Sequence, residues 1–172
     1  MDKHLAKVYV ALGSNLNSPV KQLKLALKAL EELSAKPVMH STFYQSKPLG
    51  PAGQPDYLNA VALIHTDKQP HAVLHCLQEI EDNQGRDRTT ERWGPRTLDL
   101  DLLLYDQLVL DTPSLTIPHK EMLKRNFVLH PLLEIAPKLI LPGETDIKSA
   151  LNKLAQADLD AGLQKTHAFN PH

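Results

Sequence analysis

The sequence predicts an α+β fold in which helices pack on a mostly antiparallel sheet. Apolar residues alternate between strand and helix spacing, glycine or proline marks the ends of the segments, and the elements follow the order β, α, β, β, α, β. This order is the ferredoxin-like pattern. The 172 residues contain no internal repeat and no linker. We therefore expect one domain over residues 1–160 and a frayed tail over 161–172.

The first predicted strand and helix lie at the beginning of the chain. Residues 7–12 (KVYVAL) are rich in β-formers and are followed by residues 13–15 (GSN), which predict a turn. Ser18 and Pro19 then predict a helix cap and a first-turn proline. Apolar residues continue at helical spacing to about residue 33, so this helix can cover one face of a sheet.

The remaining elements follow the same reasoning. Residues 38–46 and 57–65 predict strands, residues 70–85 a helix between Pro70 and Gly85, and residues 97–105 a further strand. The inner face of the second helix is predicted from its apolar residues at helical spacing, which are Val73, Cys76, Leu77 and Ile80. A short edge strand at 115–117 and helical stretches around 121–136 and 147–159 complete the prediction.

Charge and cysteine content exclude several classes of protein. The formal net charge of -1 leaves no global basic field for a nucleic acid or an anionic membrane. The single cysteine excludes an internal disulfide. No segment resembles a secretion signal or approaches the roughly 20 apolar residues of a membrane span. We expect a cytoplasmic protein, and a monomer because no apolar stripe is left over for a partner.

Residues 86–96 concentrate the unusual chemistry of the chain. They contain the only tryptophan, Trp93, and four of the five arginines, which are Arg86, Arg88, Arg92 and Arg96. Arginine pairs in a two-pronged manner with phosphate or carboxylate, so the cluster indicates an oxyanion site. The alternative is a solvated loop held by salt bridges to Asp87, Glu91 and Glu81, which is the commoner fate of charged loops. Two positive charges remain in excess within the segment, which favours an anion.

Asp99 and Asp101 lie two residues apart in the predicted strand, so both carboxylates point to one face. Such a pair repels unless a positive charge lies between its members. Mg²⁺ fits, because it takes one or two carboxylates together with substrate phosphates. An isolated pair is more often a surface ion-pair partner. Leu103 and Tyr105 follow at the next alternate positions, however, and both are apolar. We therefore expect Asp99 and Asp101 to lie at the end of a buried strand.

These residues resemble a known family. The pattern RxRxxxRWGPRxLDxDxL at 86–103 is similar to the signature of 6-hydroxymethyl-7,8-dihydropterin pyrophosphokinase (HPPK). The resemblance extends from VALGSNL at 10–16 through PLGPxxQPDYLNA at 48–60 and LTIPH at 115–119 to RNFVLxPLxEIAP at 125–137. It implies a ferredoxin-like fold and an enzyme of folate biosynthesis. That enzyme transfers the β,γ-pyrophosphoryl group of ATP to the hydroxymethyl group of the reduced pterin and releases AMP.

The resemblance also implies roles for individual residues. Asp99 and Asp101 would hold two Mg²⁺ ions, and Arg86 and Arg96 would support the transferring group. The ATP side would be lined by Glu81, Arg88, Arg92, Thr116, His119 and Arg125. The pterin would contact Ser46, Leu49, Tyr57, Asn59, Trp93 and Phe127. The residue types agree for the pterin, since Tyr57 and Asn59 alternate onto one strand face and offer an aromatic surface beside an amide.

Two other functional classes stay open from the residues alone. An RNA-binding module on this fold would need basic residues interleaved with several exposed aromatics, and the chain has 5% aromatics. A metal-dependent nucleotide hydrolase would share the aspartates and the arginines, and only the pterin-binding residues argue against it. We expect ATP and the pterin as partners, and neither nucleic acid nor membrane.

Overall fold

The structure is a computed structural model that describes residues 3–47, 53–85, 96–156 and 164–165. Its main sheet is antiparallel, with the strand order β5-β1-β4-β3-β8 and with β2 also paired to β4. These strands are β1 (Ala6–Ser14), β2 (Met39–His40), β3 (Tyr44–Ser46), β4 (Tyr57–Thr66), β5 (Asp99–Tyr105) and β8 (Gln164–Lys165). A separate ribbon contains β6 (Leu110–Asp111) and β7 (Thr116–Ile117).

Helices cover both faces of the sheet. The helices are α1 (Pro19–Leu33), α2 (Pro70–Asn83), α3 (Asn126–Ile135) and α4 (Ile147–Gln156), with a 3-10 helix at Met122–Lys124. α1 and α2 pack with Val8 and Val10 of β1 in one core, whereas α3 and α4 pack with Tyr9 in a second core. The predicted α+β class is confirmed, and α3 and α4 add a second helical layer. No helix in the described part of the chain has the length and hydropathy needed to cross a membrane.

β1 is the central strand, and it extends further than predicted. Its pairing with β4 and β5 continues through Gly13, and its pairing with β4 reaches Ser14, so the first two residues of the predicted turn belong to the sheet. Ser18 precedes α1 but does not cap it with its side chain. Instead, its carbonyl accepts a hydrogen bond from the Gln22 amide at 3.0 Å.

The predicted strand 38–46 is divided into β2 and β3. Ser41 pairs with Val61 through both its backbone amide and its hydroxyl, at 2.9 and 3.0 Å. The next amide, that of Thr42, donates to the Glu134 carboxylate at 2.7 Å rather than to a strand. The interruption therefore has a tertiary cause, a carboxylate on α3 that takes the place of a ladder hydrogen bond.

β5 contains an irregularity that changes its faces. The register to β1 shifts between Tyr9, which pairs with Leu104, and Val10, which pairs with Leu102. Leu103 is the extra residue of this bulge, and both it and Leu104 enter the core beneath α3 and α4. Tyr105 consequently packs against the opposite core. The expectation that Tyr105 continues the aspartate face is wrong, because a bulge reverses the alternation.

Two further expectations are corrected. Glu81 takes an inner position on α2 with Val73 and Leu77, whereas Cys76 is partly exposed. The predicted helix at 121–136 is broken at Arg125, which has an extended backbone between the 3-10 helix and α3. Residues 164–165 of the predicted tail pair with Tyr44 and Gln45. The rest of that tail lies outside the described residues.

Candidate active site

A cleft opens at the end of the sheet where β1 ends and where β4 and β5 begin. Gly13 of β1 pairs with Asn59 on one side and with Asp99 on the other, so these three residues form a row across the sheet. With strands spaced about 4.8 Å apart, Asn59 and Asp99 stand about 10 Å apart on one face. The next row contains Val61, Ala11 and Asp101. The central glycine thus leaves open the space between an amide and a carboxylate.

One cavity of the cleft has an aromatic and amide lining. Tyr57, Asn59, Phe127 and Ser46 contribute to its wall, together with Gly13. Tyr57 and Asn59 alternate along β4, Ser46 ends β3 and Phe127 lies in the first turn of α3. The structure therefore brings together four of the residues predicted to contact the pterin.

The amide of Asn59 has a fixed orientation. Its Nδ2 donates to the Tyr44 carbonyl at 3.3 Å and bonds the Ser46 hydroxyl at 2.7 Å. Among the described residues, Oδ1 has no hydrogen-bond partner, and it stands 3.4 Å from the point that a Cβ on Gly13 would occupy. A buried residue thus presents a carbonyl oxygen to the cavity. Such an oxygen can accept a hydrogen bond from the N–H edge of a flat heterocycle.

The aspartate pair lies on the wall shared with a second cavity. Asp99 and Asp101 line both cavities, and the Asp101 side chain retains 31% exposure. Beneath them, the buried Glu81 carboxylate accepts the Leu100 amide at 2.8 Å. This bond ties α2 to the residue between the two aspartates. Both carboxylates therefore rest on a strand that is anchored from behind.

The second cavity is lined by basic and polar side chains that follow β5. Thr116, His119 and Arg125 line it, with Ser114 and Lys120 beside them. Asp101 Oδ2 lies 3.9 Å from His119 Nε2 and 3.8 Å from Arg125 Nη1. Arg125 also lies over the Phe127 ring, with Cζ 5.8 Å from its centroid, within the range of a cation–π contact. The lining combines three basic side chains (Arg96, Lys120 and Arg125) with three carboxylates (Asp99, Asp101 and Glu121), which suits an anion bound together with a cation.

The surroundings of His119 favour its neutral imidazole form. Its amide donates to the Leu103 carbonyl at 3.0 Å, and its Nδ1 accepts the Glu121 amide at 3.2 Å. Burial, followed by the charge of Arg125, lowers the pKa of His119 below its ordinary value, although Asp99 and Glu121 act in the opposite direction. Because Nδ1 is an acceptor, the proton of the neutral ring resides on Nε2, which faces Asp101.

Four residues are common to the two cavities: Arg96, Asp99, Asp101 and Arg125. One wall therefore carries two carboxylates and two guanidinium groups, with an aromatic cavity on one side and a polar cavity on the other. The arrangement can hold two small molecules whose reacting ends meet at this wall. Within the described residues, no three His, Cys, Asp or Glu side chains are grouped to hold a metal ion by themselves.

One predicted ATP-side residue stands apart from the two cavities. Glu81 is buried behind β5 and lines neither cavity, so it supports the aspartates from behind. Five predicted residues lie outside the described part of the chain: Leu49, Arg86, Arg88, Arg92 and Trp93. Their roles stay predictions from the sequence.

Two residues at the site were missed by the sequence reasoning. Gly13 and Asn15 belong to the segment interpreted there only as a turn. Gly13 lines the aromatic cavity, and Asn15 is buried between the segments that lead into β4 and β5. One signal for Gly13 was available in the sequence. The alternation of β1 continues through Gly13, which lies in the same row of the sheet as Asn59 of β4 and Asp99 of β5.

The chain matches a protein-family model over residues 9–137, and that family is described as 7,8-dihydro-6-hydroxymethylpterin-pyrophosphokinase (HPPK). It is 53% identical over 148 residues to a Haemophilus influenzae protein named 2-amino-4-hydroxy-6-hydroxymethyldihydropteridine pyrophosphokinase, covering 86% of this chain and 92% of that protein. It is 51% identical over 139 residues to a Pseudomonas aeruginosa protein of the same name, covering 80% of this chain and 85% of the relative.

Longer proteins also contain a similar region. Folic acid synthesis protein fol1 of Pneumocystis carinii is 38% identical over 156 residues, which are 88% of this chain and 20% of that protein. A solved structure of Plasmodium falciparum HPPK-DHPS superposes with a TM-score of 0.72 at 12% identity, covering 96% of this chain and 46% of the other. The structural likeness supports the fold described above. The family match and the two bacterial relatives place this chain in the 7,8-dihydro-6-hydroxymethylpterin-pyrophosphokinase family.

Proposed function

We propose that this chain transfers the β,γ-pyrophosphoryl group of ATP to the hydroxymethyl oxygen of 6-hydroxymethyl-7,8-dihydropterin across the shared wall of the cleft. The bacterial relatives carry the name of this enzyme, and the activity predicted from the sequence is thereby confirmed. The division of labour between the two cavities is our proposal. The observation that carries it is the set of four charged residues that lines both cavities.

The aromatic cavity is the acceptor site. Tyr57 and Phe127 offer ring surfaces to a planar pterin, and the Asn59 carbonyl oxygen accepts from the N–H edge of the pterin. Ser46 fixes the Asn59 amide, so the hydrogen-bonding pattern at the edge is set before the ligand binds. In this pose the hydroxymethyl group points toward Asp99 and Asp101. Predicted contacts from Leu49 and Trp93 would complete this half.

The polar cavity is the donor site. Thr116, His119 and Arg125 line it, and we assign them to ATP with the predicted Arg88 and Arg92. The buried Arg96 borders both cavities, so it is placed to follow the transferring group together with the predicted Arg86. Arginines of this kind act by stabilising charge on the phosphoryl oxygens during in-line transfer.

The aspartates fit the predicted magnesium ions. Two carboxylates on one strand face supply hard oxygen ligands, and Mg²⁺ commonly takes one or two carboxylates with substrate phosphates and water. When bound, Mg²⁺ neutralises the phosphate charge and lowers the pKa of a coordinated hydroxyl group. Asp99 and Asp101 would hold two ions between the sites. His119 and Arg125, which face Asp101, orient that carboxylate.

The experiment uses the full chain with ATP, Mg²⁺ and 6-hydroxymethyl-7,8-dihydropterin, and measures AMP and pterin diphosphate. AMP in equal amount to pterin diphosphate is the expected result. AMP formed at the same rate without the pterin would instead indicate the nucleotide hydrolase. Absence of AMP under both conditions would leave a binding protein.

We further propose that residues 1–160 form one catalytic domain that acts as a cytoplasmic monomer on small molecules alone. The two cores share one sheet, which supports a single folding unit. Size-exclusion chromatography with light scattering tests the monomer, for which a mass near 19.2 kDa is expected. A mass twice as large would refute it.

A further inference from the structure

Asn15 joins two segments that enter the cleft from opposite sides. Asn15 is buried, with only 2% of its surface exposed. Its Oδ1 accepts the Arg96 amide at 2.9 Å, and its own backbone amide donates to the Arg96 carbonyl at 3.0 Å. Its Nδ2 donates to the Pro55 carbonyl at 3.0 Å and to Gln54 Oε1 at 3.3 Å. One side chain thus bonds both segments: its Oδ1 bonds the segment of Arg96, and its Nδ2 bonds the segment of Gln54 and Pro55.

The bonded segments carry the two halves of the cleft. Pro55 lies two residues before Tyr57 and four before Asn59, which form the acceptor wall. Arg96 lies three residues before Asp99 and itself borders both cavities. β1 lies between these two segments in the sheet, and Asn15 directly follows it, two residues after Gly13. A small displacement of either segment is therefore transmitted to the other through a buried amide that has little room to adjust.

We propose that Asn15 is a positioning residue that couples the acceptor site to the donor site, so that binding of either substrate organises the site for the other. The proposal rests on the function given above, because it assumes that the two cavities hold pterin and ATP. Coupling between two ligands is reciprocal and amounts to about 5- to 150-fold in affinity when it is strong. The hydrogen bonds of Asn15 to both segments, which we call the Asn15 bridge, are the physical contact through which that coupling would act.

The substitution Asn15→Asp separates the two sides of the bridge. It keeps an oxygen that accepts the Arg96 amide, but it replaces the Nδ2 donor with an oxygen that faces the Pro55 carbonyl and Gln54 Oε1. The link to the acceptor segment is therefore lost while the donor link remains. Asn17→Asp is the matched control, because it introduces the same charge at an exposed position two residues away.

The measurement is the dissociation constant of α,β-methylene-ATP with Mg²⁺, determined by calorimetry without and with saturating 6-hydroxymethylpterin. The ratio of the two constants is the coupling factor. We expect the wild type and Asn17→Asp to show a factor of at least about 5, and Asn15→Asp a factor near 1. Affinity for each ligand alone should change less than about threefold, because neither ligand touches Asn15.

A second variant guards against misfolding. Asn15→Ser adds no charge, and its hydroxyl is too short to bond both segments, so it should also lower the coupling factor. A folded variant of either kind that keeps the wild-type factor would overturn the proposal, as would a wild-type factor of 1. Failure of both variants to fold would make Asn15 purely structural and would also overturn it. Because the readout is binding, absence of AMP formation by the wild type would refute the enzyme activity without deciding the coupling.

Discussion

The two halves of the cleft are built in different ways. The acceptor half takes its residues from regular elements: Tyr57 and Asn59 from β4, Ser46 from β3 and Phe127 from α3. The donor half begins on β5 but continues through the segment after that strand. There His119 belongs to no helix or strand: its backbone amide donates to the Leu103 carbonyl, and its Nδ1 accepts the Glu121 amide.

The difference has a physical consequence. Side chains on a sheet or helix inherit their positions from the core beneath them, so the acceptor half is organised for one planar ligand before it binds. The donor half assembles charged groups whose mutual repulsion and attraction depend on a bound anion and its metal ions. Changes in the acceptor half should therefore alter specificity for the pterin, and changes in the donor half should alter turnover.

The largest effect is expected at the wall that both halves share. Asp99→Asn and Asp101→Asn each remove a charged metal ligand without removing volume, so turnover should fall by about a thousandfold or more while the fold persists. The measurement is AMP formation at saturating substrates, with thermal unfolding to verify the fold. Asp67→Asn, an exposed carboxylate near Lys3, is the control. Turnover within tenfold of the wild type in both variants would remove the pair from the mechanism.

The second effect isolates the acceptor half. Asn59→Leu keeps the size of the side chain but removes the oxygen that faces the cavity and the donor held by Ser46. An unpaired hydrogen-bonding group costs about 1–3 kcal/mol, so the KM for the pterin should rise by about 5- to 150-fold. Affinity for α,β-methylene-ATP measured without the pterin should not change. Equal weakening of both ligands would mean that the halves are not separable at this residue.

Alternation in the sequence predicted much of the cleft correctly. Because β4 and β5 are regular at their cleft ends, the common face of Tyr57 with Asn59 and of Asp99 with Asp101 followed from a period of two. The bulge at Leu103 could not be predicted this way, because it depends on the register to β1. The burial of Glu81 depends on a bond to the Leu100 amide, which is remote in the sequence.

The same limit applies to the link between β3 and α3. Glu134 accepts hydrogen bonds from the Thr42 amide and hydroxyl and from the Tyr44 hydroxyl, at 2.7 to 2.8 Å. Burial and this carboxylate raise the pKa of Tyr44, so the phenol stays protonated. Roughly ninety positions separate the partners, and neither propensity nor pattern reports such a pairing. The position of Asn15 could not be predicted either, because its hydrogen-bond partners Pro55 and Arg96 are also remote in the sequence.

The third effect tests the open space at the centre of the row. A Cβ on Gly13 would lie 3.4 Å from Asn59 Oδ1 and 3.7 Å from Tyr57 Cδ1, which are ordinary contacts. Gly13→Ala should therefore fold normally but occupy part of the acceptor cavity, raising the KM for the pterin by about tenfold, as overpacking of about 1–3 kcal/mol implies. Affinity for α,β-methylene-ATP measured without the pterin serves as the internal control. An unchanged KM for the pterin would show that the ligand does not approach Gly13.

The smallest effect lies outside both halves of the cleft. It is the contribution of His65 to the pH dependence of the free energy of unfolding. Burial, followed by the charges of Lys36 and Lys7, lowers the pKa of His65, and Asp106 only partly opposes them. The unfolded chain therefore binds a proton more readily than the folded chain as the pH falls below about 6.5, and the free energy of unfolding decreases.

Replacing His65 by glutamine should weaken the loss of unfolding free energy on acidification. The same replacement at the exposed His71 is the matched control, and it should leave that loss unchanged. Urea unfolding at pH 7.5 and 5.5 gives the comparison. If His65→Gln retains the full wild-type loss on acidification, the titrating group lies elsewhere.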